Sequence, residues 1–271
     1  MNKNIINLYD HFKSTPKKLK IICDWDEVIQ PCEPYANYLE QSERNENLLE
    51  KDKRPFSEYF KTFWSTESKY KVEYSPYGSR FKVNAPKGYS VEMFEEKQQQ
   101  IKNSPTFYHQ APFLTIAEDL LRLIKEDRVE KLIFLSAYDK REFPNEDLRK
   151  WKVFHQTFGQ CLEYPKCSIK LIPFDNETQG QTKADWIKQN APDFDIFIDD
   201  NPNICKSIVK NIAPYLILNN AYGGDFPSVQ KYTPSLIVCS PYYPAVENQH
   251  DKNVLLVKNE VSNLKRKDFS E

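Results

Sequence analysis

Apolar and polar positions alternate in blocks along the second half of the chain. In APFLTIAEDLLRLIKED (111–127), Leu114, Ala117, Leu120, Leu121 and Ile124 recur on one face of a helix. LIFLSAY (132–138) is a continuous apolar run of strand length. The pattern then repeats: a helix over 145–158, a strand in SIKLIPF (168–174), and a helix in TKADWIKQN (182–190) with Thr182 as its N-cap. FDIFIDD (194–200) reads as a strand and NPNICKSIVKNI (201–212) as a helix with proline near its start. YLILNN (215–220) is another strand, and LIVC (236–239) adds one at an edge. Near the N-terminus, residues 19–24 form a short apolar strand ending on Asp24. Strands separated by helices predict an α/β fold: a parallel sheet with helices on both faces.

The stretch 31–110 differs in texture. It is rich in Tyr, Phe, Glu, Lys and Pro, with helical segments near 35–50, 56–66 and 90–102 and a turn-rich passage over 74–90. It reads as a mostly helical insertion lying over the strand before it. The expected division is a core from 1–30 and 111–245, an inserted unit over 31–110, and a partly disordered C-terminal extension over 246–271.

Polar residues at strand ends carry the chemistry. The first strand runs into Asp24-Trp25-Asp26-Glu27, the second ends at Ser136, and a later one ends at Asp199-Asp200. Lys183 stands near the start of the helix before that last strand. Open parallel sheets bind ligands at the carboxyl ends of their strands, so these groups are expected around one crevice. Carboxylates crowded together repel and raise each other's pKa, which a divalent cation relieves. Asp24 and Asp199, with a nearby carbonyl and waters, make an all-oxygen set of the kind Mg²⁺ takes.

The order of these pieces resembles the haloacid dehalogenase (HAD) superfamily, phosphatase type, over about 19–30 and 111–220. That family carries DxDx(T/V) after a strand, matched by Asp24-Trp25-Asp26-Glu27-Val28. A strand-terminal Ser or Thr, a Lys or Arg, and an acidic pair follow, matched by Ser136, Lys183 and Asp199-Asp200. The resemblance implies a Rossmann-like core with a cap inserted between the first two motifs. It implies Mg²⁺-dependent phosphomonoester hydrolysis through an aspartyl-phosphate on Asp24. Asp26 would protonate the leaving oxygen and later activate water; its backbone carbonyl would join Asp24, Asp199 and Asp200 around the metal. Ser136 would donate to a phosphoryl oxygen, and Lys183 would neutralise phosphate and nucleophile. Glu27 has at most a part in orienting the loop, and Trp25 reads as packing. Two rivals stand beside this: a HAD-like binding or regulatory module with little catalysis, and a sugar-phosphate phosphatase or phosphomutase.

Composition narrows the partners. Lys+Arg 38 against Asp+Glu 39 gives a net charge of −1, so no long-range field draws the chain to nucleic acid or an anionic membrane. Locally, residues 51–87 hold nine basic against four acidic side chains, interleaved with Phe56, Tyr59, Phe60, Phe63, Trp64, Tyr70, Tyr74, Tyr77 and Phe81. Cations beside aromatic faces suit a small phosphorylated substrate with a flat ring, a nucleotide, and more weakly a nucleic-acid end. No run approaches 18 apolar residues, and the first eighteen do not read as a secretory signal. The cysteines (23, 32, 161, 167, 205, 239) form no CxxC pair, which favours reduced thiols in the cytoplasm or another reducing compartment. The histidines (11, 109, 155, 250) are dispersed and read as structural or surface residues. The substrate and the oligomeric state are not encoded in any of these patterns.

Overall fold

A computed structural model of the chain describes residues 5–47, 54–63, 70–75, 78–83, 88–138, 146–159, 166–173, 179–200, 204, 215–219, 236–240 and 254–264. The elements run β1 (Ile5–Ile6), α1 (Leu8–Phe12), β2 (Leu19–Cys23), α2 (Cys32–Asn47), α3 (Phe56–Phe63), β3 (Tyr70–Ser75), β4 (Gly78–Val83), α4 (Val91–Lys102), α5 (Phe107–Gln110) and α6 (Thr115–Lys125). They continue with β5 (Val129–Tyr138), α7 (Glu146–Thr157), β6 (Cys167–Pro173), α8 (Gln179–Asn190), β7 (Ile196–Asp199), β8 (Tyr215–Asn219), β9 (Leu236–Ser240) and β10 (Val254–Lys258).

The main sheet is parallel throughout, in the order β1-β10-β9-β8-β7-β2-β5-β6. With its flanking helices it is an α/β architecture compatible with a Rossmann-like fold. Continuous apolar runs suit this sheet because a parallel strand is covered on both faces. Ile21, Ile22 and Cys23 are all buried, as are Leu132 to Leu135 and Ile196 to Ile198. From β2 the chain goes on to β5 and β6 on one side, and returns to β7 and β8 on the other. The carboxyl end of β2 is thus the switch point of the sheet, where a crevice opens.

Four expectations change. The strand at 236–239 is not an edge: β9 lies between β8 and β10. Residues 254–258 of the expected C-terminal extension are β10, inside the sheet between β9 and β1. Beyond it, Thr115 N–H donates to the Glu260 carbonyl (2.9 Å), and Asn259 Oδ1 accepts from Ile116 N–H (3.3 Å). Leu114, the N-cap of α6, has no side chain able to cap it, so a residue far along the chain serves. The turn-rich passage holds the hairpin of β3 and β4. Helix α8 begins at Gln179, so Thr182 lies within it and is not its N-cap. Apart from the buried Ile204, the helix expected over 201–212 falls outside the described residues, as does the tail beyond 264.

The stretch 31–110 shares the main core at its base. Cys32 and Ala36 of α2, Ile101 of α4, and Phe107 and Tyr108 of α5 belong to the same buried cluster as β2 and β5. Further out, Tyr35, Tyr38, Phe56, Tyr59 and Phe60 pack ring against ring between α2 and α3. Three of the aromatics that suggested a surface for flat ligands therefore pack against other rings within residues 31–110. No helix among the described residues is long and apolar enough to cross a membrane. Cys23, Cys32 and Cys167 are free thiols.

Candidate active site

Parallel register brings the predicted groups to one edge of the sheet. Cys23 pairs with Phe134 on one side and Ile198 on the other, so Asp24, Asp199 and Ser136 all follow those positions toward the carboxyl ends. Asp24 N–H still donates to the Ile198 carbonyl (2.8 Å), which holds it in the sheet's frame.

Past Asp24 the chain turns sharply. Trp25 carbonyl accepts from Ile29 N–H (2.8 Å), and Glu27 N–H donates to the Gln30 carbonyl (2.8 Å). Glu27 takes φ 59°, a left-handed conformation costing about 1–2 kcal/mol for a side-chain-bearing residue. Its own carboxylate offsets that: Glu27 Oε1 accepts from Glu33 N–H (2.6 Å) in the first turn of α2, where an anion is favoured. Burial, then the nearby Glu33 charge, pushes the Glu27 pKa well above the ordinary range. Trp25 anchors the turn from below. It is fully buried, its ring meets Phe134 and Phe158 edge-on, and its Nε1–H donates to Gln30 Oε1 (2.9 Å). Gln30 Nε2 in turn donates to the Tyr108 and Ala111 carbonyls, both at 2.9 Å.

The carboxylates sort into two groups. Asp24, Asp199 and Asp200, all buried, bring one oxygen each within 4.8 Å of one another. Lys183, on α8 and fully buried, reaches Asp24 Oδ2 at 2.9 Å and Asp199 Oδ2 at 2.7 Å. Burial pushes Asp24 up to about 7; Lys183 opposes the shift, and the Asp199 and Asp26 charges add to it. Asp200 is raised well above its ordinary value by burial and then by Asp199 and Asp24. Burial works against the Lys183 charge, but Asp199 and Asp24 outweigh it and hold its pKa above the usual lysine value. Three buried carboxylates against one contacting ammonium is a donor set that a hard divalent cation would fit and relieve.

Asp26 turns the other way. Its Oδ2 accepts from Lys150 Nζ at 2.6 Å; its Oδ1 lies 3.2 Å from the Cys32 thiol and 3.4 Å from the Tyr108 hydroxyl. The Asp26 side chain keeps 34% of its surface exposed. Burial alone would raise its pKa, but the Lys150 ammonium and the thiol outweigh that and hold it below the ordinary value. Lys150 also donates to Ser136 Oγ (2.9 Å), and both residues are fully buried. The Asp26 carboxylate is thus not among the three converging acids, though it stands only two positions from Asp24.

The six residues named from the sequence as catalytic or metal-binding, Asp24, Asp26, Ser136, Lys183, Asp199 and Asp200, therefore lie around this edge. Lys150 was not among them, and neither were Cys32 or Tyr108. A signal for Lys150 did exist. It precedes Val153 and Phe154 by three and four residues, both buried, so it occupies the apolar face of α7. A lysine there must meet a carboxylate or lose its charge. Comparison of the chain with protein-family models and with curated proteins finds no match.

Proposed function

We propose that the chain is a Mg²⁺-dependent phosphomonoester hydrolase of HAD type, acting through an aspartyl-phosphate on Asp24. The observation that carries this is the division of Asp24 and Asp26: two acids two residues apart, one joined with Asp199, Asp200 and Lys183, the other drawn to a separate ammonium. Environments that push two neighbouring carboxylates in opposite directions are how one site obtains a nucleophile and a proton carrier.

In this reading Asp24, Asp199 and Asp200 would hold Mg²⁺, which would supply positive charge to offset that of the phosphoryl group. The Asp26 backbone carbonyl is the expected further ligand. Lys183 balances the charge of nucleophile and phosphate, the term that matters most in phosphoryl transfer. Ser136 faces the same edge and donates to a phosphoryl oxygen. An Asp24 oxygen bonds to phosphorus as the ester P–O bond breaks, and the leaving oxygen takes a proton from Asp26. Water then attacks the phosphorus, gives its proton to Asp26, and frees Asp24 and inorganic phosphate. Lys150 keeps Asp26 ionised at rest. It is ready for the second step; for the first it must gain a proton, which a phosphate monoanion carries.

The substrate is a small phosphorylated molecule. Phe56 and Tyr59 pack against Tyr38 of α2, and Phe60 packs against Phe56. The nucleotide reading therefore leans on Phe63, Trp64, Tyr70, Tyr74, Tyr77 and Phe81, whose side chains lie outside the described residues. In the same reading 31–110 is the cap that closes over the crevice.

Phosphate release is the test, with and without Mg²⁺, over nucleoside monophosphates, sugar phosphates and phosphorylated oligonucleotide ends. Turnover should need Mg²⁺ and fall about 10³-fold or more in Asp24→Asn. An unchanged rate in that variant would sink the mechanism. Silence across the panel from a folded chain would turn the reading to a binding module.

A further inference from the structure

Lys150 is a buried cation that the four-motif reading does not use. Removing an ammonium from water costs several kcal/mol unless its partners are well placed. Its partners are two groups with different tasks in the proposed reaction: the proton carrier Asp26 at 2.6 Å and the phosphoryl-facing Ser136 at 2.9 Å.

Its neighbour on α7 makes the placement more than local. Arg149 donates through Nη1 to the carbonyls of Lys102 and Ser104, and through Nη2 to Asn103 Oδ1. These groups end α4, whose last turn leaves its carbonyls without helical partners. Lys102 pairs with the Glu33 carboxylate, and Glu33 N–H holds Glu27, the residue after Asp26. A closed circuit results: Asp26, Lys150, Arg149, the end of α4, Glu33, Glu27, and back to Asp26. Tyr108 fills its middle, with the Arg149 guanidinium 5.5 Å and the Lys150 ammonium 5.6 Å from its ring centre.

We infer that Lys150 is a positioning residue for the proton carrier: it fixes the Asp26 carboxylate toward the leaving-group side of the site, and Arg149 makes that position depend on how α4 is seated. The inference rests on the phosphomonoester reading above. Asp26 is one-third exposed on a turn, so without Lys150 its side chain would sample other rotamers. The step that suffers is proton delivery to the leaving oxygen. Esters with a poor leaving group need that proton; aryl esters with a stable phenolate do not.

The experiment compares an alkyl phosphomonoester with p-nitrophenyl phosphate, both with Mg²⁺, in wild type and Lys150→Met. Lys150→Gln, which keeps a donor and drops the charge, is made beside it in case the methionine variant does not fold. The expected result is a loss of kcat/KM of about 10²-fold on the alkyl ester and under about 5-fold on the aryl ester. Equal losses on both esters, or none, in a folded variant would overturn the positioning role and leave the hydrolase reading standing. A folded wild type that cleaves neither ester overturns the reading and this inference with it.

Discussion

Asp24 and Asp26 stand two residues apart and live in opposite surroundings. Asp24 is buried among like charges, shares Lys183 with Asp199, and is pushed up to about 7. Asp26 is partly open to solvent, has Lys150 on one oxygen and a thiol near the other, and is held low. The difference does not come from the residues, which are identical. It comes from the side of the turn each one faces: Asp24 continues the sheet toward β7 and α8, while Asp26 leaves it toward α7. One turn thus separates a charge-crowded centre from a charge-balanced one.

The largest break in this comparison is removal of Lys183. Lys183→Met leaves Asp24 and Asp199 facing each other without their shared ammonium. Stability should fall by about 3 kcal/mol, read by chemical denaturation without metal, and turnover should be lost. Asp26→Asn should cost less stability, because that side chain is one-third exposed, the amide oxygen still accepts from Lys150, and the buried Lys150 can release its proton once its carboxylate is gone. Equal stability losses would mean the two halves are not distinct.

A second effect is smaller and depends on pH. The folded pKa of Asp24, about 7, lies above the ordinary 3.8. The folded chain therefore holds that proton more tightly than the unfolded chain does. The contribution is full below the ordinary value and is lost as pH rises toward 7. Asp200 and Glu27 shift in the same direction. Mg²⁺ opposes the repulsion that appears once these acids ionise, so it should raise Tm by several degrees more at about pH 7.5 than at about pH 5. An equal Mg²⁺ shift at both values would detach the metal from the Asp24 half.

The smallest effect is expected at Cys32. Its thiol is a weak donor to Asp26, and burial pushes its own pKa well up, so it stays protonated. Cys32→Ala should change turnover by no more than about 3-fold, since Lys150 still holds the carboxylate. A loss of about 10²-fold would make the thiol a principal part of the Asp26 half.

Much of the frame was readable along the chain. Apolar runs ending on Asp24 and Asp199 announced strands with polar tips, and the β2 and β7 ladder aligns them; Ser136, expected as a third tip, lies inside β5, which stays paired with β6 as far as Tyr138. The helical face of α6 was equally plain. The place of β10 was not: Val254 to Lys258 is a short apolar run like many others, and only its partners β9 and β1 put it in the sheet. The β3–β4 hairpin was hidden because turn signals outweighed the strand pattern around them.

The sequence by itself determined the alternation of strands and helices, that acids follow two of the strands, and that a serine stands late in a third and a lysine on the helix before the last of them. Local periodicity and strand length suffice for that, since a parallel ladder brings its carboxyl ends to one edge. Which ammonium meets which carboxylate was decided only in three dimensions. Lys183 lies 16 residues from Asp199, while Lys150 lies 124 residues from Asp26. The pairing of Lys150 depends on how α7 packs against the crevice, and Asp26 takes its low pKa from that packing.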